Sequence, residues 1–127
     1  KVLQAVSELF RSVLGPNDAI CRYGGEEFCV LLGGADIARG AEVAERARAA
    51  VEGQTAVEFK VTCSFGVSSV RFGARNTEGM IDQADIALYA SKKSGRNRVT
   101  RWDETEKYRA SRSKRAARRA ELPASKS

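Results

Sequence analysis

The sequence predicts an α+β domain, a small sheet packed with helices, and three observations carry that expectation. Residues 59–70, FKVTCSFGVSSV, alternate apolar and polar without a break, which sets Val61, Cys63, Phe65 and Val67 on one face of a strand. Residues 20–32, ICRYGGEEFCVLL, hold two strand-like apolar runs around Gly24-Gly25, a hairpin signal. Three other segments repeat apolar residues at the three-and-four spacing of a half-buried helix. The order is helix, hairpin, helix, strand, helix, strand, which fits helices covering one face of a largely antiparallel sheet.

Leu3, Val6, Phe10 and Val13 mark the first helix, over residues 2–14, and GPND ends it because Pro16 cannot continue a helix. Its entry has no cap and no preceding strand, so it reads as cut rather than designed. In the hairpin, a two-residue type I′ turn centred on Gly24-Gly25 needs positive φ at both positions. That register sets Tyr23 opposite Glu26 and Arg22 opposite Glu27, an ordinary cross-strand ion pair. It explains the glycines but not the second carboxylate. Two adjacent negative charges beside a tight turn repel each other and gain nothing for the fold unless a cation or a phosphate-bound metal sits there.

Further along, Ile37, Ala41, Ala44, Ala47 and Val51 form an apolar stripe over residues 37–52, opposite Arg39, Glu42, Arg46 and Arg48. The alternating strand follows. Thr77 can cap a helix through Met80, Ala84, Ala87 and Leu88 that ends before Gly95, where a left-handed C-cap belongs. NRVTRW is a short closing strand.

A length of 127 residues and 43% hydrophobic content suit one globular domain with a real core. No apolar run approaches the roughly 20 residues that span a bilayer and no leader pattern opens the chain, so the expected location is cytoplasmic. Cys21, Cys29 and Cys63 are odd in number, lie in apolar segments, and have neither a CxxC pair nor a histidine beside them. They read as buried reduced thiols. Of the net charge of +6, residues 101–127 hold +5, with nine basic and four acidic residues. Basicity thus belongs to a tail, which reads as a solvated, flexible terminus, and without aromatic interleaving it is not expected to bind nucleic acid.

With the hairpin, VTCSFGVS and ADIALYASKKSGRN in place, residues 1–102 resemble the GGDEF family of diguanylate cyclases, the signature standing as GGEEF from Gly24 to Phe28. Residues 103–127 fall outside the resemblance. It implies a palm-like, ferredoxin-like antiparallel sheet with helices, related to adenylyl cyclases. It implies condensation of two GTP into cyclic di-GMP with release of pyrophosphate, by two subunits that meet as a homodimer. Carried over residue by residue, Gly24 and Gly25 admit the nucleotide, and Glu26 holds Mg²⁺ or Mn²⁺ and assists deprotonation of the ribose 3′-hydroxyl. Glu27 adds to the metal site, while Lys92 and Arg96 grip the terminal phosphates. Phe28 belongs to the core and Asp85 is a structural anchor.

Two departures accompany the resemblance. The family domain begins earlier, with a strand carrying a further metal-binding aspartate and the guanine-reading residues. None of these is assignable here, so the chain is expected to lack the family's first strand and to be inactive alone, with input domains unseen on the N-terminal side. Second, the family's RxxD product-inhibition site falls on Gly15 and Asp18, with Arg46 matching a second arginine. The fork that would clasp cyclic di-GMP is therefore degenerate. The competing expectation is a GGDEF-like nucleotide- or protein-binding module without catalysis.

Overall fold

The computed structural model describes residues 2–121. In chain order the elements are α1 (Val2–Val13), β1 (Ala19–Gly24), β2 (Glu27–Leu31), α2 (Ile37–Glu52), β3 (Phe65–Val67), α3 (Thr77–Lys93), β4 (Val99–Arg101) and α4 (Glu106–Glu121), with short 3₁₀ turns at Val70–Phe72 and Trp102–Glu104. The α+β class and the element order as far as β4 follow the sequence expectation, while α4 is a helix in the stretch expected to be a flexible terminus.

The core forms where α1 and α2 lay their apolar stripes together. Val6, Phe10, Ala47 and Val51 are buried there, and Ile20, Phe28, Val61, Cys63 and Phe65 pack against them. The Phe10 ring spans two sheets, 5.5 Å from the Phe28 ring on β2 and 5.7 Å from the Phe65 ring on β3. Those sheets are separate. Antiparallel β1–β2 forms one, and β3–β4, parallel and joined through α3, forms the other.

Helices cover both faces of the β3–β4 pair, not one as the element order implied. Phe65 points to α1, and Val67 approaches α2 closely enough that a Cβ on Gly40 would lie 3.1 Å from its Cγ1. Gly66, one residue on and facing the other way, meets the backbone of α3. Ser91, fully buried on α3, fixes this packing by donating to the Phe65 carbonyl at 2.7 Å and pairing with the Thr100 hydroxyl at 2.7 Å.

The strand expected over residues 59–70 shrinks to Phe65–Val67. Val61, Cys63 and Phe65 do share the core side, as the alternation required. Yet a strand needs a ladder partner, and β3 finds only β4 among the described residues. The cap of α3 is Asn76, not Thr77: its side chain accepts from the Gly79 amide at 2.8 Å. The thiols are free but not buried, Cys21 being exposed and the other two half-buried. In the basic tail, the first turn of α4 docks by the Tyr108 ring, which sits 6.0 Å from Trp102 and 5.5 Å from Phe72, and Arg115 further along lies beside Gly73. Residues 122–127 of that tail lie outside the described residues.

Candidate active site at the hairpin tip and the end of α3

The hairpin closes on the pair Gly24↔Glu27, so Gly25 and Glu26 are the central turn residues. Only Gly25, at φ +50°, has positive φ there, which is the sign pattern of a type II′ turn rather than the expected I′. The register shifts between Arg22 and Gly24, leaving Tyr23 as an extra residue. Arg22 consequently faces Phe28, not Glu27, and the expected cross-strand ion pair does not form. Its guanidinium instead donates twice to the Gly25 carbonyl, at 2.9 and 2.7 Å, and braces the turn from below.

Freed from Arg22, the two carboxylates are presented separately. Glu26 is exposed at the tip. Glu27 turns toward the end of α3, where Lys92 Nζ lies 4.0 Å from its Oε1 with both side chains partly exposed. That spacing is loose for an ion pair and leaves both groups able to take another partner. Asp85, about two turns earlier on α3, senses the same charge. Its carboxyl is pushed above the usual range by desolvation, then by Glu27 and Asp82, with Lys92 pulling it back.

Beyond Lys92 the chain leaves the helix through Gly95, Arg96 and Asn97, with φ of 115°, 64° and 48°. Two consecutive non-glycine residues in that region cost on the order of 1 kcal/mol each, so the loop must be held from outside. The Arg96 amide donates to the Ser91 carbonyl at 3.0 Å. Asn97 is anchored on three sides: its amide donates to Ser64 Oγ at 3.1 Å, its Oδ1 accepts from Arg48 at 2.9 Å, and its Nδ2 donates to Glu52 at 2.5 Å. The bond from Asn97, and then the one from Arg48, hold the Glu52 carboxyl below its usual range. Sequence reasoning missed Asn97 and its α2 partners. The available signal was an asparagine two residues after the C-terminal glycine, since asparagine tolerates the left-handed region.

Asp18 and Arg46 form no ion pair among the described residues. Asp18 accepts from the Gly15 amide at 2.7 Å and the Gly33 amide at 3.1 Å, so its carboxylate ties the turn after α1 to the end of the hairpin. Arg46 is exposed on α2.

Glu27 and Lys92 thus meet at one end of the domain, Glu26 stands in the adjoining turn, and Arg96 follows on a fixed loop. Two hard oxygen donors beside a lysine fit a divalent ion shared with phosphate oxygens. Mg²⁺ in such sites takes one or two carboxylates and completes its shell from phosphates and water. No cluster of three acidic, histidine or cysteine side chains occurs among the described residues, so a metal cage made by protein alone does not match this arrangement.

Comparison with known proteins agrees with this layout. The sequence profile described as "Diguanylate cyclase, GGDEF domain" matches residues 1–98. Diguanylate cyclase A of Treponema denticola is 41% identical over 103 residues, 78% of this chain and 28% of that protein. Diguanylate cyclase DosC of Escherichia coli K12 is 35% identical over 106 residues, 80% of this chain and 23% of that protein. The chain therefore spans about a quarter of these relatives' length. Among solved structures, the active GGEEF domain of a diguanylate cyclase from Vibrio cholerae superposes with a TM-score of 0.72 at 31% identity, covering 80% of this chain and 66% of that one. The GGDEF domain of DgcB from Caulobacter crescentus, in complex with c-di-GMP, gives a TM-score of 0.72 at 29% identity over 80% of this chain and 63% of that one. A palm-like α+β fold, the GGEEF hairpin and a profile match over most of the chain lead to one conclusion: the chain belongs to the diguanylate cyclase GGDEF domain family.

Proposed function

We propose that this chain carries the hairpin and phosphate-gripping side of a diguanylate cyclase site, which condenses two GTP into cyclic di-GMP across a homodimer. The observation that carries the reading is Lys92 Nζ at 4.0 Å from Glu27, which sets a cation from α3 against the hairpin carboxylates. A triphosphate with its metal supplies the charges that such a pair can share. Glu26 and Glu27 would hold Mg²⁺ or Mn²⁺, and the ion when bound neutralises phosphate charge.

In the reaction, the 3′-oxygen of one nucleotide forms a bond to the α-phosphorus of the other, and the bond from that phosphorus to pyrophosphate breaks. Glu26, exposed at the tip, takes up the hydroxyl proton. Lys92 and Arg96 hold the departing β- and γ-phosphates, and Gly25 lets the backbone approach the nucleotide without a Cβ. Lys92→Ala is expected to weaken GTP binding about tenfold, the worth of a charge-assisted contact, as read by calorimetric titration. Unchanged affinity would remove Lys92 from the site.

In this reading residues 1–102 belong to the catalytic domain and 103–127 are a basic appendage. A further strand is proposed between β2 and β3, where each has an edge unpaired among the described residues and Phe10 spans the interval. Such a strand would bring the remaining acidic ligand. The experiment is chromatographic detection of cyclic di-GMP from GTP, comparing the 127-residue chain with a longer one that includes the strand. Product only from the longer chain is expected. GTP binding without product from both would favour the binding-module reading instead.

Feedback control is proposed to be weak, because glycine stands at position 15 and Asp18 is already taken by two backbone amides. A Cβ on Gly15 meets nothing nearer than Asp18 Oδ2 at 3.4 Å, so an arginine fits there. In the longer chain Gly15→Arg should slow as product accumulates while the parent keeps its rate. Progress curves at equal GTP compare them, and equal inhibition of both contradicts the assignment.

A further inference from the structure

Cys21 and Cys29 stand directly opposite each other in the β1–β2 register. Opposite residues of an antiparallel pair have Cα atoms about 4.5–5.5 Å apart, within the roughly 4.4–6.8 Å that a disulfide spans. They also point to the same face, because directly opposite residues of a strand pair share one side of the sheet. This is the face of β2 that carries Glu27, since Cys29 lies two residues along the strand.

The thiols differ in access: Cys21 is exposed, whereas Cys29 is half-buried.

We propose that Cys21 and Cys29 form a dithiol modification site, closed to a disulfide across the hairpin by a low-molecular-weight disulfide. The Cys21 thiolate attacks one sulfur of the reagent, forming a mixed disulfide and releasing the other half as a thiol with the proton Cys21 gave up. The Cys29 thiolate then attacks Cys21 Sγ, the Cys21–Cys29 bond forms, and the second half leaves as a thiol. Two protein thiols are oxidised and one reagent disulfide is reduced to two thiols, so atoms and electrons balance. Cys63, half-buried against the Phe10 core, has no such opposite partner among the described residues and serves as an internal reference. The inference concerns the hairpin's own chemistry and stands apart from the nucleotide reading.

The test treats the reduced 127-residue chain with oxidised glutathione, blocks remaining thiols, and digests with trypsin. Cleavage after Arg22 separates the two cysteines into peptides 12–22 and 23–39, while Cys63 lies in 61–71. Mass spectrometry should find the first two peptides joined and Cys63 blocked as a free thiol. Cys29→Ser should stop at a mixed disulfide on Cys21, and Cys21→Ser should leave Cys29 free at the same dose. A mixture of light and heavy-nitrogen chains should give joined peptides of matching label only. The inference is overturned if the parent chain stops at the mixed disulfide, if Cys63 joins either peptide as often, or if light and heavy peptides pair at random.

Discussion

Gly66→Ala is expected to cost about 3 kcal/mol or more in stability, because β3 and α3 touch backbone to backbone at that residue. A Cβ there would lie 2.1 Å from the Ala84 carbonyl oxygen and 2.2 Å from the Leu88 amide nitrogen. Neither is the end of a flexible side chain, so α3 itself must move. Moving it breaks the bonds that the fully buried Ser91 hydroxyl makes to Phe65 and Thr100. Urea denaturation of parent and variant measures the effect. Gly40→Ala is the milder comparison, since its Cβ meets side-chain methyls, Val67 Cγ1 at 3.1 Å and Leu32 Cδ1 at 3.9 Å, and no backbone. Equal loss at both sites would contradict the packing described for α3. Lys92 and Arg96 ride on the end of this helix, so Gly66→Ala should also weaken nucleotide binding in whatever fraction remains folded.

Glu26→Ala is expected to lower cyclic di-GMP formation by the longer, strand-containing chain by about 10²-fold or more, the range attached to a lost general base. The fold should not notice. Glu26 is exposed at the turn, and the Arg22 brace acts on the Gly25 carbonyl, not on this side chain. Product formation at saturating GTP, alongside an unchanged urea midpoint, separates the chemical loss from a structural one. Near-normal turnover would show that Glu26 neither holds the metal nor takes the proton, and the role given to the hairpin tip would have to pass to Glu27.

Local periodicity made the helices legible, because burial of one stripe is written into residues three and four apart. It also gave the correct sides of Val61, Cys63 and Phe65, even though most of that segment forms no ladder. Pairing is a nonlocal property, and residues 59–64 carry no record of whether a neighbour is present. The hairpin was legible in kind but not in register. Gly-Gly can occupy a turn in two ways, and the bulge at Tyr23 selects the one that takes Glu27 away from Arg22 and toward Lys92. Helices on both faces of β3–β4 had a readable sign in Gly66, a glycine inside a strand where another backbone comes close. Of the support of Arg96, only Asn97 left a sign in the sequence, and its partners left none. Asn97 depends on Arg48 and Glu52, which lie 49 and 45 residues away, and nothing in SGRN names them.

The central claim is that the hairpin carboxylates and the end of α3 form one metal–triphosphate site, and paramagnetic NMR tests it without requiring turnover. In a ¹⁵N-labelled chain with GTP, substituting Mn²⁺ for Mg²⁺ should broaden the amide signals of Gly25 to Phe28 and of Lys92 to Asn97 together, while those of α4 keep their intensity. Broadening at the hairpin alone, or confined to α4, would contradict the claim.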